Sequence, residues 1–425
     1  MSPSALDVLR SLHRHTRDAG LPPPAALIGS WLGADAVLAP SLELVDGLAP
    51  PDRPDRFWLG HLSFPVDVQS ARFPAVAGGL TDSVLILRGG DWEYHDVTGA
   101  PAPDWVRAAL SPTVPRISPT VPGFPPTVPG FPPSVPLSTH WQPPSAQRRA
   151  DHRRAVLDAL DAISAGEIYQ ACICTRLDGT LTGDPLDFFS TVAAGTAPAK
   201  AAFLQGNWGA VASFSPESFL HRDGRRVTSS PIKGTLPADG DPRDLATSVK
   251  DVAENVMIVD LVRNDLGRVA ETGSVTVPEL LTVVGAPGVW HLVSTVAAEL
   301  GEQVGNDALL AAAFPPASVT GTPKIRAAEL IGRWEHLPRG VYCGAVGIAG
   351  PDHALDLSVA IRTVEIDPGG AMRLGVGGGI TIDSDPDREW QECLDKAAAI
   401  IGAARPRTAR AWRPPSPRRP ARRRP

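Results

Sequence analysis

From Ser111 to Leu137 the chain reads SPTVPRI, SPTVPGF, PPTVPGF, PPSVPL, a seven-residue repeat with ten prolines between Pro112 and Pro136. Proline fixes φ and removes the backbone donor, so neither an α-helix nor a central strand can pass through this stretch. Polyproline II segments broken by turns are the expected conformation. The repeat therefore divides the chain, and any core has to be built from what lies on its two sides. Two readings of the repeat itself stand: a linker lengthened by duplication, and a docking motif for a proline-binding module.

Outside the repeat the composition is that of a globular protein. With 43% hydrophobic and 20% charged residues the chain is not a disordered polymer, a coiled coil or a collagen-like repeat. Its 425 residues suffice for a large core. Four cysteines, Cys172, Cys174, Cys343 and Cys393, form no CxxC pair, so neither a disulfide framework nor a zinc knuckle is expected. Reduced thiols, the lack of an apolar run of roughly 18 residues and an N-terminus with acids among its bases lead to the expectation of a cytoplasmic protein without membrane contact. The net charge of −6 conceals a split, because the last 21 residues contain nine Arg and no Asp or Glu. The remaining body is strongly acidic, unlike a nucleic-acid binder, and the basic tail is expected to be disordered.

Segments 1–110, 111–142, 143–404 and 405–425 are read as an N-terminal α/β region, a proline-rich linker, a catalytic region and a tail. Before the repeat, strands are expected at Ala25–Trp31, Ala36–Leu38, Phe57–Phe64 and Ser83–Arg88. After it, helical spacing covers Arg148–Ala165, Asp241–Leu266, Pro323–Trp334 and Pro386–Ala403. Strand-like runs cover Ala201–Gln205, Ala210–Ser213, Val341–Ile348, Asp356–Val364 and Met372–Val376. Alternating and continuous apolar strands together suggest large sheets covered by helices.

Three clusters carry candidate chemistry. Asp251 and Glu254 are three apart on one helix, Glu389 and Glu392 repeat that spacing on another, and Lys396 joins the second face. Like charges so placed suit a hard cation such as Mg²⁺, which takes carboxylate oxygens and waters; two solvated faces with ordinary ion pairs are the alternative. Gly375-Val-Gly-Gly-Gly-Ile380 reads as a glycine-rich turn after a strand, able to bring backbone N–H groups to an anion or simply to turn. Lys233, in Ser230-Pro-Ile-Lys-Gly-Thr235, is either a reactive buried amine or a surface lysine.

These segments occur in one order with SPESF (215–219), AENVMIVDLVRNDLGRV (253–269), VWHLVSTV (289–296), FPPASVTGTPK (314–324), RGVYCGAVG (339–347), LDLSVAIRT (355–363) and GVGGGITIDSDPDREWQECLDKA (375–397). Together they resemble the chorismate-utilising enzymes, over roughly Arg148 to Arg405, and the lysine of PIKGT resembles the aminodeoxychorismate synthase component I branch. The resemblance implies an α+β fold, with two large antiparallel sheets packed as a sandwich, helices outside and an active site in a cleft between the halves. It implies Glu254 and Glu392 as Mg²⁺ ligands, with Asp251 and Glu389 as water-mediated partners. It also implies that Lys396, Tyr342, Arg362 and the amides of Gly377, Gly378 and Gly379 hold the substrate carboxylates, and that His291 and Ser318 line the pocket.

The implied substrates are chorismate and ammonia. Glu217 would be the general acid for the C4 hydroxyl, which requires burial to raise its pKa. Lys233 would attack C2, and ammonia would then expel it by attack at C4. Freeing an ordinary lysine of pKa about 10.4 at neutral pH costs about 4.6 kcal/mol, which a desolvated site beside a cation lowers. Relatives that add water carry a lysine where this chain has Gln170, and glutamine cannot take a proton. No cysteine has the setting of a glutaminase nucleophile, so a separate glutamine amidotransferase subunit is expected. Anthranilate synthase component I and a non-catalytic scaffold remain as alternatives.

Overall fold

The computed structural model describes residues 2–52, 55–65, 72–111 and 136–404. The expectations for the body of the repeat and for the basic tail lie outside the described residues. Two antiparallel sheets dominate the α+β fold. The first runs, strand beside strand, Gly321–Thr322, Gln170–Thr182, Ala371–Ile380, Thr363–Ile366, Gly209–Ser215, Lys200–Gly206, Ala25–Trp31, Ala34–Ala39, Ser83–Arg88 and Asp91–Asp96, with Ser138–Trp141 added on Gln170–Thr182. The second runs Ile232–Pro237, Val289–Glu299, Arg226–Ser230, Ser218–Asp223, Leu355–Val359, Ala345–Ala349, Phe57–Leu62, Val76–Thr81 and Val45–Asp46, with Thr276–Ala286 on Val289–Glu299.

Strands from before the repeat complete both sheets. Ala26 pairs with Phe203 in the first and Leu59 with Ile348 in the second. Period-two alternation then divides the side chains between layers. In Lys200–Gly206, Ala202 and Leu204 face a core shared with Leu59, Val346 and Ile348 of the other sheet. Ala201 and Phe203 of the same strand face helices, including Pro185–Thr196 and Pro386–Ala403. Both faces are apolar because both are covered. The second sheet's outer face packs on helix Val249–Gly267 through Ile258, Val262 and Leu266. Among the described residues no helix is long and apolar enough to cross a membrane.

Four expectations are corrected. Asp356–Val364 is two strands in different sheets, Leu355–Val359 and Thr363–Ile366. The chain crosses between layers at Ala360–Arg362, where Arg362 has φ 51°. Of Val341–Ile348 only the part from Ala345 is strand, within Ala345–Ala349. Asp241–Leu266 is broken at Ser248, whose extended backbone (ψ 110°) and hydroxyl, accepting from the Asp251 amide, start a new helix, Val249–Gly267. The glycine-rich segment is no turn; it is the interior of strand Ala371–Ile380, paired along Gln170–Thr182 from Ala171 to Thr180.

Candidate active site

Two capped helices set the acids. Ser248 caps Val249–Gly267, whose first turns carry Lys250, Asp251 and Glu254. Asp385 caps Pro386–Ala403, accepting from the amides of Asp387 and Arg388, and that helix carries Glu389, Glu392 and Lys396. The N-terminal turns of the two helices meet, for Lys250 Nζ lies 3.8 Å from Glu254 Oε1 and 3.7 Å from Glu389 Oε1. Glu254 and Glu389 are buried, and Glu254 Oε1 and Glu389 Oε2 have no hydrogen-bond partner. Burial pushes the Glu254 carboxyl up, against the pull of Lys233 and Lys250. Burial acts on Glu392 as well, but the Lys396 ammonium 2.8 Å away, with Lys250 and Lys233, brings that carboxyl below its usual range.

Strand Ala371–Ile380 runs beside helix Pro386–Ala403 and carries Gly378 and Gly379 up to the acids. Its second neighbour, Thr363–Ile366, reaches only Leu374, so one edge is open from Gly375 onward. Lys396 uses that edge, donating to the Gly377 carbonyl at 2.7 Å. The missing side chains leave room for others. A methyl on Gly378 would lie 3.1 Å from Glu389 Oε2 and 3.6 Å from Glu392 Oε1. A methyl on Gly379 would lie 3.1 Å from Gln170 Nε2, 3.4 Å from Lys233 Nζ and 3.5 Å from Glu254 Oε2. Gln170 is fully buried, and neither side-chain polar atom has a partner.

Lys233 is half-buried, not enclosed as expected, and donates to the Ser318 carbonyl at 3.0 Å. The turn Ala317–Val319 presents this carbonyl, Arg339 Nη1 donates to its Val319 carbonyl at 2.7 Å, and Lys324 holds the segment that leads into it. Lys324 Nζ donates to the carbonyls of Ala313 (2.8 Å) and Pro315 (2.9 Å) and pairs with Asp265 at 2.6 Å. Glu217 is buried, and burial pushes its carboxyl up, opposed by the Ser318 hydroxyl and the Lys233 ammonium. Asp251 packs on Gly234, the neighbour of Lys233; a methyl there would meet Asp251 Oδ1 at 3.3 Å.

His291 pairs in register with Thr235, and its Nδ1 lies 2.9 Å from the Thr235 hydroxyl, while Nε2 has no partner. Burial, with Arg362 nearby, lowers the imidazole pKa to about 4, so the ring is neutral at pH 7. No carboxylate among the described residues pairs with Arg362, whose guanidinium pKa is lowered by burial. Tyr342 stands apart. Its ring covers Gly375 and lines a separate cavity with Arg148, Arg176, Arg373 and Trp334.

The structure thus gathers Lys233, Glu217, Ser318, Gln170, Glu254 and Gly379, with Glu389, Glu392, Gly378 and Lys396 beside them. Buried, unpartnered carboxylate oxygens from two helices are a donor set that fits a hard divalent cation. Among the described residues no three acidic, histidine or cysteine side chains converge on one position; the acids stand around Lys250. Sequence reasoning passed over Lys250 and the Lys324–Asp265 pair. Lys250 had a readable signal, an i, i+4 spacing to Glu254. Lys324 and Asp265 had none, since 59 residues separate them.

Residues 111–402 match the family model described as chorismate binding enzyme. The chain belongs to the chorismate binding enzyme family. It is 40% identical over 272 residues to aminodeoxychorismate synthase component 1 of Escherichia coli (strain K12), covering 62% of this chain and 59% of that protein. It is likewise 40% identical over 262 residues to anthranilate synthase component 1 of Thermus thermophilus, covering 60% of this chain and 56% of that protein. The matches thus span less than two thirds of these curated relatives' own length. Among solved structures the fold is similar to anthranilate synthase component I from Streptococcus pneumoniae (TM-score 0.64, 23% identity, 89% of this chain and 90% of that one). It is also similar to the menaquinone-specific isochorismate synthase of Escherichia coli (TM-score 0.67, 18% identity, 95% and 92%).

Proposed function

We propose that the chain is the chorismate-aminating component of an aminodeoxychorismate synthase. It converts chorismate and ammonia to 4-amino-4-deoxychorismate and water in the cytoplasm, toward 4-aminobenzoate and folate. The observation that carries this reading is the common space at Gly379, faced by the Lys233 amine, a Glu254 carboxylate oxygen and the Gln170 amide.

Glu217 holds a proton at neutral pH more readily than an exposed carboxyl, because burial raises its pKa. It donates that proton to the C4 hydroxyl, which leaves as water. Lys233 Nζ, its ammonium proton given up to solvent, forms a bond to C2 as the ring double bonds shift and the C4–O bond breaks. Ammonia then bonds to C4, the electrons shift back, the C2–N bond breaks, and the proton released from nitrogen returns to Glu217. Arg362, Lys396 and the edge amides of Gly377 and Gly379 bind the carboxylates, with His291 and Ser318 shaping the pocket; Tyr342, expected to join them, lies at the separate cavity. Glu254 and Glu392 would hold Mg²⁺, with Asp251 and Glu389 acting through water, and the ion would supply Lewis acidity to the departure of the hydroxyl. Gln170 cannot serve as base for water, which favours ammonia as the nucleophile.

Ammonia comes from a separate glutamine amidotransferase chain. The Cys393 and Cys174 thiols are unlike a thiolate nucleophile, since burial pushes Cys393 up to about 12 and Cys174 well above its ordinary value. Purified chain with chorismate, Mg²⁺ and ammonium is expected to yield 4-amino-4-deoxychorismate by mass spectrometry, and glutamine is expected to fail without the partner. Quenched single turnovers should add the mass of chorismate less water to Lys233, and Lys233→Ala should lose the adduct. The equal identity to an anthranilate synthase component 1 keeps a second reading in view: anthranilate fluorescence without an added lyase would establish it and refute the first.

A further inference from the structure

Lys250 is assigned no part in the chemistry, yet it occupies the centre of the acid cluster. Its Nζ lies between carboxylates of two different helices, 3.8 Å from Glu254 and 3.7 Å from Glu389. Neither contact is a hydrogen bond, and Glu254 Oε1 and Glu389 Oε2 are left buried without a partner. The lysine sits in the first turn of Val249–Gly267, where the helix dipole disfavours a cation; its i, i+4 partner Glu254 is local, while Glu389 comes from the other helix. Its side chain keeps 48% of its exposure, and a long, flexible stem can carry the ammonium out to solvent.

Resting on the metal reading above, we propose that Lys250 is a resident counter-ion for the divalent-cation site. Its ammonium neutralises Glu254 and Glu389 and holds the two helix N-termini together when no metal is bound, and an entering divalent cation displaces it. Metal and lysine compete for the same carboxylates, so the lysine sets the metal affinity.

The test uses the full chain and Mn²⁺, with free Mn²⁺ read by electron paramagnetic resonance. Lys250→Met should bind Mn²⁺ about tenfold more tightly than the wild type, which is about 1.4 kcal/mol. Lys250→Arg, which keeps the charge, should stay near the wild type. Without metal, Lys250→Met should melt below the wild type, and saturating Mn²⁺ should remove the difference. Lys250→Gln repeats the measurement should the methionine variant not fold. Equal or weaker Mn²⁺ binding by a folded neutral variant overturns the proposal while the metal reading stands, provided Glu254→Gln abolishes wild-type binding. No Mn²⁺ binding by the wild type or the neutral variants overturns both.

Discussion

Gly375→Ala and Gly379→Ala alter one face of one strand at points four residues apart, and the structure predicts opposite consequences. A methyl at Gly375 would stand 2.2 Å from Tyr342 Cγ and 2.3 Å from Cδ1, inside any van der Waals contact. The ring is buried, so it has to move against packed neighbours, and overpacking of this kind costs about 1–3 kcal/mol. At Gly379 the nearest atom is the end of the Gln170 amide at 3.1 Å, the rest being 3.4 Å or more away. Alanine also loses less conformational freedom in a strand than glycine, so stability should stay within about 1 kcal/mol of the wild type. The added methyl would nonetheless occupy the space between Lys233 and Glu254. Displacement of the reacting atoms by about 1 Å lowers the rate about 100-fold, or about 2.7 kcal/mol. Urea unfolding and ammonium-dependent turnover, measured on both variants, separate the two effects. A Gly379→Ala protein with full activity, or one as unstable as Gly375→Ala, would refute the assignment of that space to substrate.

Glu217→Gln should lower turnover by about 10²–10⁴-fold. Because the carboxyl acts in its protonated form and burial raises its pKa, wild-type activity should fall as pH rises through that raised value, and the pH–rate profile reads this limb directly. Glu365 is buried and pushed up to about 7, with the Val341 N–H, Arg373 and Arg176 opposing. Its contribution to stability is therefore full below its unfolded pKa of about 4.3 and is lost as pH rises through about 7. Glu365→Gln should flatten the fall in urea midpoint between pH 5 and 8, a difference on the order of 3 kcal/mol. Lys324→Met leaves Asp265 buried without its cation and should cost about 3 kcal/mol, read as a lower urea midpoint, with weaker turnover from a loosened Ser318 turn.

Elements whose apolar pattern had one interpretation were legible. Ser83–Arg88 and Pro386–Ala403 are found with the bounds their residues suggest, since alternation and an Asp-Pro helix start are local signals. Asp356–Val364 was not legible as two strands, because a run buried on both faces looks the same whether it stays in one sheet or crosses to another. The glycines of 375–379 read as a turn because sequence shows the lack of side chains and not what fills their place, here Tyr342, Cys174 and the ends of Gln170, Lys233 and Glu254. The acids were visible through helical spacing. Their encounter was not, since it depends on the N-termini of two helices more than a hundred residues apart.

The strands that precede the repeat form one end of each sheet and are stitched on by ladder hydrogen bonds, Ala25–Trp31 beside Lys200–Gly206 and Phe57–Leu62 beside Ala345–Ala349. Covalent continuity through residues 112–135 is thus not what keeps the leading hundred residues in place. A protease nick there should yield two fragments that travel as one particle and part only in denaturant, since either fragment alone would leave an unpaired strand edge in both sheets.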